Sequence, residues 1–306
     1  MQLGEHHVIK QTDARFGAID AAAFAAKNFY NAANYRVRQS FIHDGVYLIK
    51  PSGLPIEITT RQTRIAQVRI VPRSGFYVVE VIYERDVVPA AVDPALVAGI
   101  DVGLNNLAAI TSNKPGFIPV LVNGRPLKHI NQFYHKQRAH LQSKLGRKGS
   151  TRLMERITNR RNRQITHYLH THSRRIIDML VRAGIGVLII GKNDGWKQQI
   201  TIGRRNNQNF VQVPHARFIP MLQYKAELVG IAVRTINESH TSKCSFLDGE
   251  PIGHRERYVG TRVTRGMFRT ANGRRTNADV NGAYNIIRKA IPNAFGNGMG
   301  GVVATP

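Results

Sequence analysis

The stretch Leu96–Thr111, LVAGIDVGLNNLAAIT, restricts the fold of this chain more than any other. LVAGI suits a buried central strand, and Val102 is expected to continue it past Asp101. Gly103 allows a sharp turn, after which Leu107–Ile110 can return as a second strand. Asp101 is thereby a carboxylate carried on a hydrophobic sheet, and from these residues alone it reads equally as a turn-capping Asp or as a functional acid.

Charge narrows the function. Lys and Arg outnumber Asp and Glu by 44 to 19 in 306 residues, a formal charge of +25 with neutral histidines. Folding needs no such excess, and it lies among periodic hydrophobic segments, so a folded basic surface facing a polyanion is expected, nucleic acid first. No run of apolar residues is long enough to cross a bilayer and no basic-then-apolar leader opens the chain, so a cytoplasmic, nucleoid-associated location without membrane contact is expected. The single cysteine, Cys244, rules out an internal disulfide and a thiolate zinc ribbon.

Along the chain, residues 1–11 suggest a strand and Ala18–Ile42 a long helix, with Phe24, Phe29, Tyr30, Ala33, Val37 and Phe41 at helical spacing on a core face. Residues 43–62 lose all pattern. Ile65–Val71 and Phe76–Glu84 form a hairpin, and the prolines at 89 and 94 mark a linker. The expected division is an N-terminal strand, helix and hairpin domain over 1–90, a second domain over 91–290, and a flexible Gly-rich tail over 291–306.

In the second domain Phe117–Val122 is a strand, followed by a basic helical hairpin at 125–183 (helices Leu127–Leu145 and Arg152–Ala183). Between Arg125 and Arg182 fifteen basic residues face two acids, Glu155 and Asp178. Leu153, Ile157, Ile165, Leu169, Ile176, Ile177 and Leu180 mark the packed side. Arg156, Arg160, Arg161, Arg163, Arg174 and Arg175 fall on the solvent side, placed for phosphate contact. The strand Gly186–Ile190, the helix Pro214–Val229 and the strand Ile231–Ile236 follow, then a polar hairpin or loop and a last helix in which Asn277 can cap and Val280, Tyr284 and Ile287 face inward. The order predicts an α/β fold around a mixed sheet.

Three carboxylates stand at ends of these elements: Asp101, Glu238 after the Ile231–Ile236 strand, and Asp279 opening the last helix. Acids gathered in a basic protein suit divalent cations, and two such ions can activate a water and stabilise the leaving oxygen of a phosphodiester.

VAGIDVGLNNLAAIT, GVLIIGKNDGWKQ, NNQNFVQVPHARFIPMLQYKAELVGI, ESHTSKCSFLD and GRRTNADVNGAYNIIRK, in this order, resemble the transposon-encoded TnpB family, relatives of the type V CRISPR nucleases. The resemblance implies an RNase H-like (RuvC-type) mixed-sheet core with an N-terminal β-rich and helical domain. It implies an RNA-guided DNA endonuclease using Mg²⁺ or Mn²⁺, with guide RNA and target DNA as partners and Asp101, Glu238 and Asp279 as catalytic metal ligands. Three features depart from the family. Gly191 stands where the second acid is usual, so Glu238 is expected to replace it, with Asp194 as the fallback. The ribbon region 243–276 keeps only Cys244, so no zinc is expected. Only about twenty residues, 43–62, bridge the first helix and the hairpin, so the N-terminal region is shortened, and the competing expectation is a nuclease-inactive or degenerate TnpB-like nucleic-acid-binding protein.

Other residues carry weaker signals. Trp196 suits packing or base stacking. Lys197, Arg204, Arg205, Lys243, Arg274 and Arg275 are further candidates for nucleic-acid contact, while His167, His170 and His172 fit a phosphate-facing or solvated helix face. His6 and His7 have no carboxylate partner near in sequence and read as surface residues. A basic structural RNA-binding protein would explain the charge and leave the three acids without a purpose.

Overall fold

The computed structural model describes residues 1–26, 37–42, 46–51, 56–73, 75–146, 149–192 and 215–296. Two compact units emerge: residues 1–87 with 145–159, and residues 88–144 with 160–306.

In the first unit, β1 (Gln2–Lys10) pairs antiparallel with β6 (Phe76–Glu84), which pairs antiparallel with β5 (Ile65–Arg73). Helix α1 (Phe16–Ala26) packs Ile19 with Ile9, Val68, Val79 and Val81, and Tyr77 donates a 2.7 Å hydrogen bond to Asp20. A second sheet has the order β2 (Val37–Ile42), β3 (Val46–Pro51), β4 (Ile58–Thr60).

Several sequence expectations change here. The helix expected through Ile42 is α1 and then β2, with residues 27–36 outside the described ones. Val37, Phe41 and Ile42 suit a strand as well as a helix face, and the β2–β3 ladder supplies the long-range pairing that decides it. The patternless 43–62 contains β3 and β4. His6 and His7 do meet acids, Glu80 at 3.6 Å across the sheet and Glu5 at 3.4 Å along the strand.

The second unit is the α/β, RNase H-like core. Its five-stranded mixed sheet has the order β11-β10-β7-β8-β9, built from β7 (Asp93–Asp101), β8 (Asn106–Ser112), β9 (Val120–Asn123), β10 (Ile185–Lys192) and β11 (Ala232–Asn237). β7, β8 and β9 are antiparallel neighbours, while β10 runs parallel to both β7 and β11. The ends of β7, β10 and β11 therefore share one rim. β7 stops at Asp101, and Val102, buried, lies beyond it.

Strand parity sorts the two faces. Ala98, Ile100, Leu188 and Ile190 join the larger core with Ile165, Leu169, Ile176, Ile177 and Leu180 of α3 (Arg152–Arg182) and Phe218, Leu222 and Ala226 of α4 (His215–Glu227). Val97, Val187 and Ile189 face the other way, against Ile286 and Ile287 of α5 (Ala278–Ala290). Leu153, expected on the packed side of α3, is 48% exposed, and Met154 is buried in its place, a phase error of one residue.

Helix α5 seats directly on the sheet through glycine. A methyl group on Gly99 would lie 2.6 Å from Ala283 O, so no other residue fits that crossing without moving backbone. Beyond β11, the strands β12 (Thr261–Thr264), β13 (Met267–Arg269) and β14 (Arg275–Asn277) form a small antiparallel sheet that leads into α5. Helix α2 (Arg125–Leu145) follows β9.

Candidate functional site

Asp101 is the last residue of β7 and has the parity of Val97 and Gly99, so it faces α5. Its Oδ2 would lie 2.6 Å from a methyl group on Gly282, one turn after Asp279 in α5. Asp279 sits in the first turn of that helix. The Asn277 side chain caps the turn, accepting from the Asp279 and Val280 amides at 2.9 and 3.3 Å. Val280, Tyr284 and Ile287 are buried, as their spacing predicts.

Glu238 follows β11 directly, one strand from β7 and at the same rim. Its carboxylate leans over Gly191 of β10: a methyl group at 191 would lie 2.7 Å from Glu238 Oε2 and 2.5 Å from Ile286 Cδ1. In the β7–β10 register Ile190 pairs with Ile100, so Gly191 comes level with Asp101. A tight turn holds the Glu238 backbone: its carbonyl accepts from the Thr241 amide and hydroxyl at 3.2 and 2.8 Å, and His240 adopts a left-handed φ of 68°.

Both other acids lie within electrostatic reach of Asp101. Burial first, then Glu238 and Asp279, push the Asp101 carboxyl well above the usual carboxylate range, while Arg262 pulls it down. Burial pushes Glu238 up to about 7 against the pull of Lys289. Asp279 is engaged on both oxygens. Asn106 donates to its Oδ2 at 2.8 Å, and Arg262 of β12 reaches its Oδ1 at 3.4 Å.

Asn106 and Arg262 are the site residues that sequence reasoning missed. Asn106 had a signal in the GLNNL turn beside Asp101, whereas Arg262 had none within its polar hairpin.

Three carboxylate groups suit a hard divalent cation by donor chemistry. Among the described residues, however, no three His, Cys, Asp or Glu side chains are grouped so as to hold a metal ion. In this arrangement both Asp279 oxygens are engaged, by Asn106 and by Arg262, so Asp279 is not grouped with the other two acids as a metal site.

The basic candidates divide by position. Arg156, Arg160, Arg163, Arg174 and Arg175 are exposed on α3, with Arg174 3.4 Å from Asp178. Arg161 departs from the expected solvent-facing set. It is half-buried, donates to Asn131 at 2.8 Å and lies over the Tyr134 ring at 5.6 Å. Lys243 sits 5.8 Å over the Tyr258 ring, and Arg274 and Arg275 are exposed at β14. Asp194, Trp196, Lys197, Arg204 and Arg205 lie outside the described residues.

In the 243–276 region Cys244 is buried, with Sγ 3.6 Å from Pro251 O. Asn281 and Asn285 of α5 donate to Cys244 O at 2.9 and 2.7 Å. The buried Glu250 carboxylate accepts the Ser245 and Val259 amides at 2.7 and 3.0 Å.

A family profile described as "Probable transposase" matches residues 77–197, and one described as "Cas12f1-like, TNB domain" matches residues 215–286. Over most of its length the chain is similar to TnpB-like and Cas12f proteins. It is 24% identical over 208 residues to the TnpB-like protein ORF457 of Acidianus two-tailed virus, covering 64% of this chain and 42% of that one. It is 25% identical over 240 residues to the CRISPR-associated endodeoxyribonuclease Cas12f2 of a Micrarchaeota archaeon, covering 71% of this chain and 41% of that one. A solved Cas12f1–sgRNA–target DNA complex shares the fold at a TM-score of 0.51 and 18% identity, over 72% of this chain and 44% of that one. The chain thus spans less than half the length of these relatives. No helix among the described residues is long and apolar enough to cross a membrane.

Proposed function

We propose that this chain is a TnpB-like nucleic-acid-binding protein that retains the carboxylates of a RuvC-type centre without holding them as a metal site. The observation that carries this reading is the outer face of α3. Arg160, Arg163, His167, His170 and Arg174 are exposed and follow one another at three- and four-residue spacing, which puts them on one stripe. At about 1.5 Å per residue the stripe runs about 21 Å, roughly six steps of a duplex strand at about 3.4 Å each. Contact with about six phosphates, by the arginines of this stripe together with the further basic residues named below, gives a log–log salt slope of about −4 to −5. Arg160, Arg163, Arg174 and Arg175 changed together to Gln flatten that slope in a fluorescence-anisotropy titration; an unchanged slope returns the stripe to a solvated surface. Trp196, Lys197, Arg204, Arg205, Lys243, Arg274 and Arg275 extend the interface in this reading, and guide RNA and target DNA are its partners.

A second reading, divalent-metal-dependent and RNA-guided DNA cleavage, is favoured by the gathering of acids at one rim: Glu238 leans over Gly191, level with Asp101, and Asp101 lies against Gly282, one turn from Asp279, so the acids repel one another. Mg²⁺ or Mn²⁺ would relieve that repulsion once Asp279 exchanges Arg262 for the cation. Glu238, leaning over Gly191, then serves as the relocated second acid. Asp101→Ala and Asp279→Ala abolish Mg²⁺-dependent cutting in this reading while leaving binding intact. Full cleavage by either variant refutes it, and absence of cutting by the wild-type protein with Mg²⁺, guide and target leaves the binding reading alone.

A further inference from the structure

A second charged cluster borders the GLNNL turn. Neighbouring residues of that turn point to different partners: Asn106 donates to Asp279 of α5, while Asn105 Oδ1 accepts from Lys128 Nζ of α2. The turn backbone closes tightly on the start of α2, because a methyl group on Gly124 would lie 2.4 Å from Leu104 O. Arg262 reaches Asp279 and also donates to the carbonyl of Arg265, and Arg265 lies within electrostatic reach of Lys128. Arg125, in the first turn of α2, completes the group.

Among the described residues no carboxylate pairs with Arg125, Lys128 or Arg265. Arg125 and Arg265 each repel Lys128, and together with burial, the larger cause, they lower its ammonium from its ordinary range. A bound anion would offset that repulsion.

We propose that Arg125, Lys128 and Arg265 form a phosphodiester subsite, seating one phosphate of a bound polynucleotide strand that passes beside the carboxylates. The subsite rests on the nucleic-acid-binding reading above and assigns the strand a path, across the GLNNL turn from α2 toward α5. Phosphate recognition carries no base preference, so it acts alike on all sequences.

The test uses the full chain without divalent metal and a fluorescein-labelled 20-nucleotide single strand, DNA in one arm and RNA in the other. Arg125→Gln and Arg265→Gln alter exposed side chains and leave the fold intact. Each weakens binding equally across sequences and flattens the salt slope by about 1, and Lys128→Gln does the same while Lys128→Arg does not. Wild-type slopes for Arg125→Gln and Arg265→Gln, alongside a flattened slope for the α3 four-residue variant, overturn the subsite and leave the binding reading standing. A wild-type protein that binds neither strand overturns both.

Discussion

Gly191→Ala tests how the rim of the sheet is packed. The new methyl group would lie 2.5 Å from Ile286 Cδ1, 3.1 Å from Ile286 Cγ1 and 2.7 Å from Glu238 Oε2, and real contacts do not come that close. Ile286 is fully buried against β7 and β10 and cannot swing away, whereas half-buried Glu238 has room to move. Relief therefore comes from expulsion of the carboxylate plus a strained shift of Ile286. Overpacking of this kind costs about 1–3 kcal/mol, or about 2–4 °C of Tm per kcal/mol in a unit of this size. Urea unfolding and a thermal melt measure the loss. A cycle with Glu238→Ala and Glu238→Gln separates its causes. Ala at 238 removes the 2.7 Å collision and recovers part of the loss, whereas Gln keeps the shape and recovers none. A Gly191→Ala melt within about 1 °C of wild type, or equal recovery by both partner variants, refutes the packing argument.

Two other outcomes follow from the same region. Glu238 has a folded pKa of about 7 against an ordinary 4.5, so its contribution to stability is fully present below pH 4.5 and is lost as pH rises through about 7. Glu238→Gln removes that decline, and parallel stability–pH profiles for variant and wild type between pH 4.5 and 7.5 contradict it. Asn277→Ala deletes the cap that receives the Asp279 and Val280 amides and lowers stability by about 1 kcal/mol, read by urea titration; a change below about 0.3 kcal/mol means that the cap is redundant.

The core strands were legible because buried strands with β-branched residues and glycine punctuation state their own pairing need. Leu96–Thr111 and GVLII carry it within a few residues. The N-terminal misreading has the opposite cause. Alanine and aromatic residues between 18 and 42 satisfy helical spacing locally, and the β2–β3–β4 ladder that competes for Val37–Ile42 depends on residues 46–60, interrupted by glycine and proline. The positions of Asp101, Glu238 and Asp279 at element ends were legible in the sequence because each adjoins a recognisable strand or helix. What lay beyond reach was side-chain commitment across the fold. The Arg262–Asp279 contact joins residues 17 apart through a hairpin whose register no local pattern declares, and the fit of Glu238 over Gly191 depends on two parallel ladders.

Helix α5 gives the last point. The first turn of a helix is where fraying ordinarily begins, and Asp279 is there. In this chain that turn is fastened from several sides: by its cap at Asn277, by Asn106 and Arg262 on the Asp279 carboxylate, and by the flush contact of Gly282 with Asp101. Further along, Asn281 and Asn285 are bonded to Cys244 O, and Ile286 and Ile287 are sunk into the sheet. No part of the helix can open alone without releasing contacts elsewhere, so its amides should exchange with solvent only when the whole unit unfolds.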